Sequence, residues 1–90
     1  MNRLEIIHLR TAGRSSDVLA RQIREAIGAD GDDHRVVTVY RRSGLATDVA
    51  VHISWHGNDE PAGHSDLGLH LASALAAHGL VEHTIWEELT

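Results

Sequence analysis

The chain has 90 residues, a formal net charge of -5 and no cysteine. This length fits a single domain spanning residues 1–90, and the lack of cysteine excludes disulfides, thiolate catalysis and Cys-ligated zinc. The acidic balance disfavours nucleic acid and anionic membranes as partners, and no segment is apolar for long enough to span a bilayer. We therefore expect a cytoplasmic protein.

The first half of the chain opens with a strand pattern followed by a helix pattern. Residues 3–10 contain a short apolar run with β-branched side chains, which predicts strand one. Leu19, Ile23 and Ile27 then recur every four residues, which predicts an amphipathic helix that ends at Gly28.

The middle of the chain predicts a β-hairpin. Residues 36–42 form strand two, and residues 43–46 connect it to strand three, with Gly44 free to adopt a positive φ. Strand three, over residues 47–56, has the clearest alternation in the chain. Its inward-facing residues are predicted to be Val49, Val51, Ile53 and Trp55.

The last third repeats the order of helix and strand. Ser65 is a suitable N-cap for a second helix, Gly79 ends that helix, and residues 80–89 predict strand four. The full order is β-α-β-β-α-β, which resembles the topology of ferredoxin-like domains, including small regulatory modules and dimeric α+β-barrel proteins. The resemblance implies an α+β sandwich whose antiparallel sheet has the strand order 4-1-3-2 and both helices on one face. Because this scaffold hosts unrelated functions, the resemblance assigns no site.

The sheet face without helices is the expected working surface. If Ile7 and Leu9 face the helices, then Leu4 and Ile6 point outward and form an apolar patch with Trp86 of strand four. An exposed apolar patch on a small domain usually marks an interface, so we expect a homodimer that packs sheet on sheet or extends across an edge.

Histidine occurs eight times, which raises the possibility of a metal site. His8 and His52 are expected on the outward face of adjacent strands, and Glu82 on the other neighbour of strand one could add an oxygen ligand. Two histidines and one carboxylate would suit zinc or a non-haem iron. The alternative is that these histidines are separate polar groups in a dimer interface.

A second group of potential ligands lies between strand three and the second helix. Its members are His56, Asp59, Glu60 and His64. Loops at such connections often carry function, although a solvated loop explains the same residues.

No motif fixes a reaction, so whether the chain is an enzyme stays open. The sequence favours a small binding or interaction module that acts as a homodimer through its open sheet face and takes a small-molecule or protein ligand. The alternatives are a His-rich metal-binding protein and a small-molecule enzyme that uses His8 or His52 as general base.

Overall fold

The computed structural model describes residues 3–11, 16–27, 35–44, 47–55, 63 and 65–89. These residues form a small α+β fold with one four-stranded sheet and two helices. In chain order the elements are β1 (Arg3–Thr11), α1 (Ser16–Ile27), β2 (Arg35–Arg41), β3 (Asp48–Trp55), α2 (Asp66–Leu75) and β4 (Gly79–Glu87), with a 3₁₀ turn at Ala76–His78. No described helix is long and apolar enough to cross a membrane.

The sheet is antiparallel at every described pairing, and its strand order is β2-β3-β1-β4. Read from the opposite edge, this is the order 4-1-3-2. β1 and β3 are therefore the central strands, and the hairpin strand β2 and the last strand β4 form the edges.

The core lies on one side of this sheet, between the strands and the two helices. Its buried members alternate along β1 and β3 and recur at helical spacing along α1 and α2. They are Ile7, Leu9, Leu19, Ile23, Val49, Val51, Ile53, Trp55, Leu71 and Leu75. The inward set predicted for β3 is confirmed. On β1, whose inward face the sequence leaves open, Ile7 and Leu9 face the helices.

Three local features fix where the elements begin, turn and end. The hydroxyl oxygen of Ser65 accepts a hydrogen bond of 2.9 Å from the backbone N–H of Gly68, which confirms Ser65 as the N-cap of α2. Gly44 has a φ of 76°, so the β2–β3 turn uses the left-handed region that glycine tolerates. A side chain at position 79 would collide with the backbone of Arg10, so the absence of a side chain at Gly79 allows β4 to start beside the end of β1.

Two predicted features lie outside the described residues. They are the helix end at Gly28 and the whole candidate cluster of His56, Asp59, Glu60 and His64.

Candidate functional site

The side of the sheet opposite the helices, called the open face below, presents its side chains in rows that run from β2 to β4. The row order follows from the cross-strand pairing of β2, β3, β1 and β4. Two rows form what we call the neutral half. From β2 to β4, the first row is Val36, Ser54, Leu4 and Trp86, and the second row is Thr38, His52, Ile6 and Thr84. Two further rows form the charged half: Tyr40, Ala50, His8 and Glu82, then Arg42, Asp48, Arg10 and Leu80. Arg42 extends the pairing beyond β2, because its backbone N–H donates to the carbonyl oxygen of Asp48 at 3.1 Å.

The neutral half is apolar at its outer row. Leu4 lies directly opposite Trp86, whose side chain is 57% exposed, and Val36 at the other edge is 51% exposed. The indole N–H of Trp86 donates to the Thr84 hydroxyl oxygen at 2.9 Å, which holds the ring beside the sheet. The structure therefore brings together the three residues predicted as an interface, Leu4, Ile6 and Trp86.

His52 belongs to the neutral half in its charge as well as its position. Its ring centroid lies 4.6 Å from that of Tyr40, and the two rings are tilted by 56°. Burial lowers the pKa of His52 below its ordinary value of 6.5, because loss of hydration disfavours the charged imidazolium. His52 is thus neutral at pH 7, and neither row of this half carries a formal charge.

The charged half is organised around Asp48, whose side chain is only 1% exposed although it points to the open face. Its two carboxylate oxygens lie 3.2 Å from the Nε2 atom of His8 and 3.2 Å from the hydroxyl of Thr47. The guanidinium groups of Arg10 and Arg42 follow at 3.7 and 3.5 Å. Four donor groups therefore cover one carboxylate and leave it almost no contact with water.

These contacts decide the charge of Asp48. Burial of the carboxylate opposes ionisation, but the hydrogen bonds from His8 and Thr47 and the positive charge of Arg10 outweigh it. The net result is a pKa of Asp48 below its ordinary value of 3.8, so the group is an anion at neutral pH.

Asp48 in turn orients His8. When the imidazole is neutral and donates its Nε2–H to Asp48, the second ring nitrogen, Nδ1, carries a lone pair. The His8 side chain is 37% exposed, so a small molecule can reach the ring. A histidine fixed by a buried carboxylate can accept or return a proton, and general-base chemistry at His8 stays a prediction.

A shallow groove of about 370 Å³ runs along the open face beside this pair. Ile6 and Ala50 form its floor. Tyr40 and Arg42 line the β2 side, and Glu82, Thr84 and Trp86 line the β4 side. The groove exists because Ala50, the smallest side chain of its row, lies between the larger Tyr40 and His8.

The pairing register separates two of the proposed metal ligands. His8 and His52 lie on the outward face of adjacent strands, but His8 pairs with Ala50 and His52 pairs with Ile6, so the two histidines are not directly opposite each other. Glu82 does lie opposite His8, on β4. Within the described ranges, no group of three or more His, Asp or Glu side chains could hold a metal ion. Metal binding by His8, His52 and Glu82 stays a prediction.

One polar cluster that the sequence analysis missed lies on the helix side of the sheet. Glu5 is 1% exposed, and its carboxylate accepts hydrogen bonds from the Ser65 hydroxyl at 2.6 Å and the Ser65 backbone N–H at 3.2 Å. The indole N–H of Trp55 donates to it at 3.4 Å, and the Nε2 atom of His83 lies 2.6 Å away. Gly68 packs so closely on this carboxylate that a side chain there would overlap it. The alternation that places Ile7 and Leu9 inward also places Glu5 inward, so the signal was present in strand one.

Comparison with known proteins adds no function to this geometry. No protein-family model matches the chain, and no curated protein or solved structure matches it either. The residues of the open face are therefore the basis on which we infer the function.

Proposed function

We propose that this protein is a ferredoxin-like binding module that forms a homodimer through its open face. The observation that carries the proposal is the exposure of large apolar side chains on that face. Val36, Tyr40 and Trp86 are each at least half exposed, on a sheet surface that no described element covers. Several large apolar side chains exposed on one face of a small protein favour an interaction site there.

The occupant we assign to this face is a second copy of the chain. The open face spans about 19 by 24 Å, or about 450 Å², from the usual strand spacing and rise per residue. A specific interface buries about 800 Å² of accessible surface on each partner. The projected area of the whole open face is smaller than this value, so a stable dimer needs all of the face, including the groove, and the apolar row alone is insufficient.

The charge pattern suits two identical surfaces. In a symmetric dimer each half of the open face meets a half of the partner's open face, so the two halves in contact must be compatible in charge. The neutral half is uncharged at pH 7 because burial keeps His52 neutral, so pairing it with its own copy buries no formal charge. The charged half contains both signs, Arg10 and Arg42 beside Asp48 and Glu82, so a facing copy finds opposite charges there.

Sedimentation velocity over a range of protein concentrations tests the proposal. We expect the unmodified chain to dimerise, and we expect Val36→Glu and Trp86→Glu to shift the equilibrium to monomer. Leu69→Glu is the matched control, because Leu69 on α2 is also 51% exposed but lies on the helix side. A chain that stays monomeric at high concentration would overturn the proposal. Dissociation by Leu69→Glu alone, or dimers that persist in both open-face variants, would place the contact elsewhere, such as at a sheet edge.

A further inference from the structure

We propose that the groove on the open face binds a small aromatic or otherwise apolar anion, such as an aryl carboxylate. The inference names the ligand class of the surface assigned above, and it rests on that proposed function for the enclosure of the ligand. The binding chemistry itself comes from the side chains that line the groove.

The shape of the groove fits the apolar body of such a ligand. Ile6 and Ala50 provide an apolar floor, and Tyr40 and Trp86 stand on opposite sides of it as aromatic walls. Ligand sites commonly have volumes of about 300–1,000 Å³, so a groove of about 370 Å³ suits a molecule of one or two rings. Aromatic walls contribute binding through ring contacts in addition to apolar burial.

An exposed arginine beside the groove can bind a negative group on the ligand. Arg10 and Arg42 both lie within 4 Å of the single carboxylate of Asp48, so Asp48 alone does not neutralise both guanidinium groups. With Glu82 the formal charges of these four groups sum to zero, so the attraction for an anion is local to Arg42. The Arg42 side chain is 61% exposed and holds Asp48 through one nitrogen at 3.5 Å, so its other donors are open to a ligand.

Glu82 brings a negative charge to the same groove, opposite in sign to that of Arg42. It lines the same groove directly across from His8, and in the described part of the chain its carboxylate makes no hydrogen bond or ion pair. An anion in the groove is therefore attracted by Arg42 and repelled by Glu82. Neutralising each residue in turn must change the affinity in opposite directions.

The dimer would cover this site. Because a stable interface needs the whole open face, a ligand in the groove is enclosed between the two copies. Binding to the dimer and dimerisation are then linked, so a saturating ligand strengthens the association of the subunits.

Isothermal titration calorimetry with three probes tests the assignment. The probes are 2-naphthoate, 2-naphthalenemethanol and 2-naphthylmethylammonium, which share one ring system and differ in charge. We expect the naphthoate to bind most tightly and the ammonium probe most weakly. Equal affinities for all three probes, or no binding to a folded dimer, would overturn the inference.

Variants of the groove locate the binding. Arg42→Gln is expected to weaken naphthoate binding about tenfold, from the usual strength of a hydrogen bond to a charged group, and to leave the alcohol unchanged. Glu82→Gln is expected to tighten naphthoate binding by about two- to fivefold. Arg24→Gln, on the exposed side of α1, is the control for net charge and should change nothing. Equal effects of Arg42→Gln and Arg24→Gln would contradict the proposed contact.

A substitution that fills the groove completes the test. Ala50→Leu should abolish binding of both the naphthoate and the alcohol, while Ala74→Leu, exposed on α2, should not. The circular dichroism spectrum and melting temperature show whether the Ala50→Leu variant is folded. If it is not folded, the effect of Arg42→Gln on naphthoate affinity decides whether the groove is the binding site. Naphthoate binding that responds to Arg42 in a chain that sediments as a monomer would support the ligand and overturn only the dimer. A dimer that binds no naphthoate would support the homodimer and overturn the ligand assignment.

Discussion

The buried carboxylate of Glu5 should be a major determinant of stability, and Glu5→Ala measures its contribution. The substitution removes the Glu5 acceptor from four neighbouring groups: the Trp55 indole, the Ser65 backbone N–H, the Ser65 hydroxyl and the His83 ring. Each buried polar group that loses its partner costs about 1–3 kcal/mol. Because these groups share one carboxylate, the penalties overlap, and we expect a loss of about 3–5 kcal/mol.

This loss is large compared with the stability available. A domain of this length is stable by about 5–14 kcal/mol, at the usual 0.05–0.15 kcal/mol per residue. The substitution should thus remove between about a fifth and all of the free energy of unfolding. In thermal unfolding, each 1 kcal/mol corresponds to a shift of about 4–8 °C in a domain of this size.

Urea unfolding followed by tryptophan fluorescence provides the assay, because Trp55 is 8% exposed in the fold and contacts Glu5 directly. The matched control is Glu87→Ala. Glu87 is also a sheet glutamate, and it pairs with Arg3 at 2.9 Å, but its side chain is 52% exposed. An exposed ion pair contributes at most about 1 kcal/mol. The reasoning is refuted if Glu5→Ala costs less than about 1 kcal/mol, or no more than Glu87→Ala at the same protein concentration.

Three further predictions concern Gly68, Asp48 and Gly44. Gly68→Ala should lower the free energy of unfolding in urea by about 1–3 kcal/mol, because the added methyl group would overlap the Glu5 carboxylate. In the Glu5→Ala background the same substitution should raise the free energy of unfolding by about 1 kcal/mol, since alanine is the better helix former. A decrease in both backgrounds would contradict the overlap. The pKa of Asp48 is lowered in the folded protein, so the stabilisation from its carboxylate is complete above pH 3.8 and is lost as the pH falls through the folded pKa. The difference in unfolding free energy between the wild type and Asp48→Asn should therefore be constant above pH 3.8 and shrink below it. A difference that grows on acidification would contradict a lowered pKa. Gly44→Ala should lower stability by about 1 kcal/mol in thermal denaturation, because alanine is strained at a φ of 76°, and an unchanged melting temperature would argue against that turn.

The sequence allowed the order of elements and the buried faces of β3 and α1 to be predicted, because both depend on local patterns, whereas the inward face of β1 stayed open. The alternation of Val49, Val51 and Ile53 identified the buried face of β3, and the four-residue spacing of Leu19 and Ile23 identified the buried face of α1. Neither conclusion requires knowledge of the partner strand.

The pairing register could not be predicted in the same way. His8 lies opposite Ala50 rather than His52, a shift of two residues along β3 that leaves every side chain on its expected face. Alternation is insensitive to such a shift, and β1 and β3 are joined by a long connection rather than by a tight turn. The groove was missed for the same reason, since it depends on Ala50 lying between Tyr40 and His8.

Glu5 was missed because a charged residue is normally assigned to the outside of a strand. Its burial is possible only because donors from β3, β4 and the start of α2 converge on it. These residues are 50, 60 and 78 positions away along the chain. No local pattern reports a convergence over such separations.

These separations have a consequence for how the protein forms in the cell. The chain is synthesised from its amino terminus, so Glu5 leaves the ribosome long before His83. Until the last strand has been made, the first strand cannot bury its carboxylate next to the imidazole that completes its shell of donors. Stable closure of the core is thus delayed until almost the whole domain has emerged, and intermediates halted earlier would keep the centre of the sheet open to chaperones and proteases.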